Sequence, residues 1–117
     1  MNELKNAIHD LFNDPLLTAD DAIDRHFAAG FRQRTNGHWD ERSAFRARII
    51  LLREVVEHAT ISVLDEFLDG ERYAERHVID LMKRDGERIL QEVYVFAERD
   101  RDGRFTRIEE TSVMLAR

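Results

Sequence analysis

The sequence predicts an α+β fold in which three N-terminal helices pack on a curved, mainly antiparallel sheet built from the C-terminal half. Three observations carry this. Apolar residues recur at three- and four-residue spacing as far as Val56, the period changes to two from His58 onward, and Asp-Gly pairs punctuate the alternating part. At 117 residues, a single domain spanning 1–117 is expected, large enough to bury one core without a staple.

The elements follow in order. Leu4, Ile8, Leu11 and Phe12 define an apolar helix face that stops at Asn13-Asp14-Pro15, since proline cannot continue a helix. Thr18 is placed to cap a second helix, with Asp21 near its positive end, Ile23 and Phe27 sharing a face, and Gly30 as the expected stop. FRQRTNGHWD reads as a short strand and a turn at Asn36-Gly37, with Asp40 as N-cap of a long third helix. On that helix Phe45, Ile49, Leu52 and Val56 form a core stripe, and Arg42, Arg46 and Arg53 form a solvated face.

The remainder reads as strands. Asp69-Gly70, Asp85-Gly86 and Asp102-Gly103 are the turns between them, and the last strand covers 105–115. A two-residue turn at Asp85-Gly86 pairs Arg84 with Glu87, which sets Ile79 opposite Glu92 and His77 opposite Tyr94. A glycine bulge after Asp102 then sets Glu92 opposite Ser112 and Tyr94 opposite Glu110. In this register His77, Glu92, Tyr94 and Glu110 share one face, while Val78, Gln91, Val93 and Val95 occupy the other. Both faces are too apolar for open solvent, and the helices cover only one. The second is expected to meet another copy of the chain in a two-fold dimer.

Composition excludes several function classes. There are no cysteines, so disulfides and thiolate chemistry are out, in keeping with a cytoplasmic location. A net charge of −6 without a basic cluster argues against nucleic-acid partners. MNELKNAIHDLF lacks the basic stub and long apolar run of a signal or membrane segment. The five histidines never fall four apart on a helix, and no metal motif occurs, so no metal and no cofactor are expected.

Helices, then FRQRTNGHW, a helix containing FRARIILLR, a hairpin, and finally EVYVFAERDRDGRFTRIEE together resemble the nuclear transport factor 2-like superfamily in its SnoaL-like branch. That resemblance covers nearly the whole chain and implies a cystatin-like cone, dimerisation through the sheet, and a ligand held between the concave face and the helices. It also implies acid–base chemistry of the polyketide cyclase or ketosteroid isomerase type on a hydrophobic carbonyl compound, or else a non-catalytic interaction or storage role. Aligned on EVYVF, Glu92 matches the isomerase acid that hydrogen-bonds the substrate oxyanion. The position of the isomerase base falls in RQRTNG, where Arg34 cannot accept a proton. His77 is the alternative base, with Glu92 as acid and Tyr94, Arg34, Glu110, Phe12 and Phe27 as ligand contacts. Trp39 either caps the cavity mouth or packs as a staple before the third helix. Arg34 either holds a ligand carboxylate or pairs with Glu92 or Glu110, which would lower the acid's pKa.

Overall fold

A computed structural model describes residues 3–116. Helices α1 (Glu3–Phe12) and α2 (Ala19–His26) precede a hairpin of β1 (Phe27–Thr35) and β2 (His38–Glu41); α3 (Arg42–Val55) then leads into β3 (Val56–Asp69), β4 (Arg72–Lys83), β5 (Arg88–Arg99) and β6 (Phe105–Ala116). The strands form one sheet in the order β2-β1-β6-β5-β4-β3, antiparallel except where β1 runs parallel to β6. The helices pack on one side of it, giving the expected α+β cone.

Local chemistry accounts for the helix ends. Thr18 caps α2 by accepting the Asp21 N–H at 3.0 Å. After α1, Asn13 mimics a strand partner: its amide donates to the Ala59 carbonyl at 2.6 Å and accepts the Ala59 N–H at 2.9 Å, so the loop is laced to β3. The second helix ends at His26 rather than near Gly30. Phe27 is already extended there, because its ring is required in the core against Phe31 and Phe45, with centroids 4.7 and 4.9 Å away. Glu41 rather than Asp40 occupies the cap position of α3, and Asp40 is instead held by Arg48. The Arg42, Arg46 and Arg53 face is only partly solvated. Arg42 and Arg46 pair with Asp24 and Asp20 of α2, and Arg53 donates to the Asp14 and Leu17 carbonyls at 3.2 and 2.5 Å.

Asn36 and Gly37 form the expected tight turn, both with positive φ (49° and 88°), and Thr35 pairs with His38. The β4–β5 turn differs from expectation. Asp85 keeps negative φ and its carboxylate accepts the Glu87 N–H at 2.8 Å; Gly86 alone is left-handed (φ 92°), and Lys83 rather than Arg84 closes the loop by donating to the Glu87 carbonyl at 2.8 Å. This three-residue loop moves the register by one, so His77 lies opposite Val93, Val78 opposite Glu92 and Glu75 opposite Val95. At the β5–β6 turn the glycine bulge is present, with Gly103 at φ 83° and Asp100 bonded to Arg104 at 2.8 Å. A second irregularity between Glu98 and Arg99 then slips that register by one as well.

The two slips cancel across β5. Glu110 therefore stays on the His77 face, opposite Val95, whereas every β5 side chain changes sides. Val93, Val95 and Ala97 are buried under the helices, and Gln91 comes with them; Glu92, Tyr94 and Phe96 turn outward. Among the described residues, no helix is long and apolar enough to cross a membrane.

Candidate functional site

Between the inner face of the sheet and helices α1 and α3 lies a cavity of about 330 Å³. Its apolar part comes from α1, α3 and the far ends of β4 and β5: Leu4, Ile8 and Phe12, then Leu52, Ile79 and Leu81, with Phe27 and Phe45 at the core side. Its polar part comes from the middle of the sheet. Gln33, Thr35, His77, Gln91, Glu110 and Ser112 line it, joined by Arg48 from α3. A concave, largely apolar space with a few convergent polar groups is the usual form of a small-molecule site, and this volume lies at the small end of the range.

His77 is a buried group of the cavity wall, paired with a carboxylate. The residue is 2% exposed, and its Nδ1 is 2.5 Å from Oε1 of Glu75, whose side chain is fully buried. Residues two apart on one strand face the same way, so β4 itself delivers the pair. A carboxylate on Nδ1 fixes the ring orientation and the tautomer, leaving Nε2 for a cavity occupant. Oε2 of Glu75 has no hydrogen-bond partner among the described residues.

Glu110 stands one strand row from His77, in the cross-strand row Thr35, Glu110, Val95, Glu75. Gln33 Nε2 and Thr35 Oγ1 both donate to its Oε1, at 2.7 and 3.2 Å. Burial pushes its pKa up, against the opposing pull of the Thr35 hydrogen bond, His77 and Arg48, while Glu75 adds to the rise. Arg48 is held on two sides: Nη1 binds Asp40 and Nη2 donates to Gln33 Oε1 at 2.8 Å. An ordered chain Asp40–Arg48–Gln33–Glu110 therefore holds the carboxyl in place. The β1–β2 turn closes this end, with Asn36 Nδ2 donating to Ser112 Oγ at 3.1 Å and Asn36 Oδ1 accepting the Ser112 N–H at 3.0 Å.

The residues singled out from sequence divide between the two faces. His77, Glu110, Phe12 and Phe27 line the cavity. Glu92 does not: it lies on the outer face, its side chain 23% exposed, accepting the Tyr94 hydroxyl with Arg76 4.0 Å away. Tyr94 is 40% exposed on the same face. The arginine near Glu92 is thus Arg76; Arg34 reaches neither Glu92 nor Glu110, pairing instead with Glu109 at 3.3 Å. Trp39 is also away from the cavity, stacked under the Arg32 guanidinium at 4.2 Å. The one-residue slip of β5 explains Glu92 and Tyr94, since side chains on a strand change faces at every step.

Glu75, Gln33, Arg48, Gln91 and Ser112 were not singled out. Two of them carried a readable signal. Glu75 is two residues before His77, and Arg48 sits three after Phe45 and four before Leu52, within the apolar stripe of α3. No group of three or more metal-ligating side chains occurs among the described residues.

No protein-family model matches the sequence, and no curated protein does. Solved structures do. An NTF2-like protein of unknown function from Exiguobacterium sp. 255-15 superposes with a TM-score of 0.71 at 15% identity, over 98% of this chain and 99% of that one. A candidate isomerase from Rhodopseudomonas palustris gives 0.76 at 12% identity, over 94% and 86% of the two chains. A candidate SnoaL-like polyketide cyclase from Jannaschia sp. CCS1 gives 0.65 at 13%, over 95% and 85%. At such identities the likeness concerns architecture. The chain has the nuclear transport factor 2-like fold.

Proposed function

We propose that this nuclear transport factor 2-like fold serves as a small-molecule-binding domain whose cavity supports cofactor-independent proton transfer on an apolar carbonyl compound, with His77 as the proton-transfer group. The observation that carries the reading is the buried Glu75–His77 pair set in the cavity wall, one row from an enclosed carboxyl. A histidine oriented through Nδ1 presents Nε2 with a defined lone pair, which general-base catalysis requires. Glu75 is a positioning residue in this scheme. Glu110, anchored through one oxygen by Gln33 and Thr35, keeps its other oxygen for the ligand's polar end. The apolar end lies against α1 and α3. Solved neighbours described as a candidate isomerase and a candidate cyclase favour the same class of chemistry, as analogy from the fold.

The test is α-proton exchange. A panel of small cyclic ketones in heavy water, followed by proton NMR, should show exchange with the wild-type protein and a loss of about 10²-fold or more with His77→Gln. Binding without exchange would leave a ligand-storage domain, the alternative for the same cavity.

The outer face favours a second copy of the chain as partner. Phe96 and Phe67 are 72% and 68% exposed there, beside Val113 and Tyr94, and the strip between them carries both signs of charge in Asp65, Arg76 and Glu92. A face that is apolar and bears complementary charges suits an isologous two-fold contact. Light scattering should report a dimer at micromolar concentration that Phe96→Glu dissociates; a wild-type monomer would remove this reading.

A further inference from the structure

The charges around the cavity do not balance. Glu110 lines it, and Glu75 lies directly behind His77 with one oxygen unpartnered. Arg48 is the one guanidinium among the lining residues, and both of its terminal nitrogens are engaged, by Asp40 and Gln33. A ligand carboxylate or phosphate would therefore meet a cation already paired with Asp40 and would face acidic groups in a desolvated space, where an unpaired charge is costly. The lining disfavours an anionic ligand.

The complementary cation is accommodated. Both protein donors to Glu110 end on Oε1, and no hydrogen bond to Oε2 is formed among the described residues, so one carboxylate oxygen of this cavity-lining residue has no protein donor. We infer that the carbonyl ligand of this cavity also carries an amine, whose ammonium group seats on Oε2 of Glu110, with its hydrocarbon part against Phe12, Leu52 and Leu81. This rests on the cavity being the ligand site, and holds whether or not His77 turns the ligand over. The elevated pKa of Glu110 agrees with it, because burial outweighs the pull of His77 and Arg48 and the enclosed carboxyl takes up a proton that an ammonium would displace.

The sign of the pH dependence follows from the groups facing Glu110. These are Thr35 and Gln33 from β1, Glu75 and His77 from β4, and Arg48 from α3. Alkylammonium groups keep their proton below about pH 10. Glu110 must be ionised to hold an ammonium, so ammonium binding strengthens as pH rises through its raised pKa. A neutral ligand accepting a hydrogen bond from protonated Glu110 would respond in the opposite sense.

The experiment is calorimetric titration of three compounds of one shape, 4-methylcyclohexylamine, 4-methylcyclohexanone and 4-methylcyclohexanecarboxylate, against wild type and Glu110→Gln, with circular dichroism confirming that the variant is folded. The expected result is amine binding that is tighter than ketone binding, tightens with pH and weakens about tenfold or more in Glu110→Gln, as for loss of a charge-assisted hydrogen bond. Ketone binding without amine binding, or amine binding indifferent to Glu110→Gln and to pH, would overturn the amine inference and leave the cavity reading standing. Carboxylate binding would overturn the charge argument. Failure of all three to bind would overturn both.

Discussion

The two faces of the sheet carry the same kinds of residue and differ in what surrounds them. On the inner face a carboxylate meets an imidazole at 2.5 Å with both side chains buried, and Glu110 is fixed by two donors. On the outer face Glu92 accepts the Tyr94 hydroxyl and lies 4.0 Å from Arg76, which also binds Asp65 at 2.8 Å, but these groups are a quarter to nearly half exposed. Solvent screens the outer network, so its pairs contribute little. Enclosure makes the inner groups expensive to leave unpaired and worth holding in one geometry. A carboxyl becomes a candidate for chemistry through its surroundings rather than its type.

The largest contrast should appear in packing. Phe31→Ala removes a ring with no exposed surface that contacts Phe27 and Phe45, and is expected to cost about 3–5 kcal/mol in urea unfolding. Its outer-face counterpart Phe96→Ser should change the stability of the isolated subunit by about 0.5 kcal/mol or less. Comparable losses for the two would mean that the outer face is as covered as the inner one.

A smaller effect is expected for the positioning pair. Glu75→Gln keeps the volume but replaces the acceptor of the His77 Nδ1–H by an amide, and should lower stability by about 1–3 kcal/mol. The imidazole nitrogens of His77 should also lose their single tautomer in long-range proton–nitrogen NMR spectra. A variant with unchanged tautomer and unchanged stability would show that Glu75 does not orient the ring.

Glu110→Gln should act in the opposite direction. Since burial raises the folded-state pKa of Glu110 above its unfolded value near about 4.3, ionisation favours the unfolded chain. The favourable contribution is complete below that unfolded value and is lost as pH rises through the folded one. Glu110→Gln should therefore be more stable than wild type at pH 8 and closer to it at pH 4, by about 1.4 kcal/mol for each pH unit of elevation. Equal differences at both pH values would contradict the elevated pKa. Glu92→Gln, the outer-face control, should shift stability by about 0.5 kcal/mol or less and leave cavity binding unchanged.

Most of the architecture was legible because it rests on signals with a physical mechanism. The period change near Val56, the cap at Thr18 and the left-handed pair Asn36-Gly37 each force one local structure. Register was not legible to one residue. Asp85-Gly86 suits a two-residue turn, but an aspartate bonded to the Glu87 N–H also suits the loop that forms, and the bulge beyond Glu98 leaves no mark in composition. That single step moved Glu92 and Tyr94 outward and brought Gln91 inward, while Glu110 kept its side because two slips cancel. The inner network of Gln33, Arg48 and Asp40 joins segments that only the fold brings together, and Arg48 within an apolar stripe was its one visible trace.

Chemical-shift mapping of a bound ligand tests most directly which face is the site. When a cavity-sized cyclic amine or ketone is titrated into labelled protein, the His77 ring and the signals of Gln91 and Ser112 should move while those of Glu92, Tyr94 and Phe96 stay in place. Shifts confined to the Tyr94 and Phe96 side, with the His77 ring unchanged, would contradict placing the functional site on the inner face.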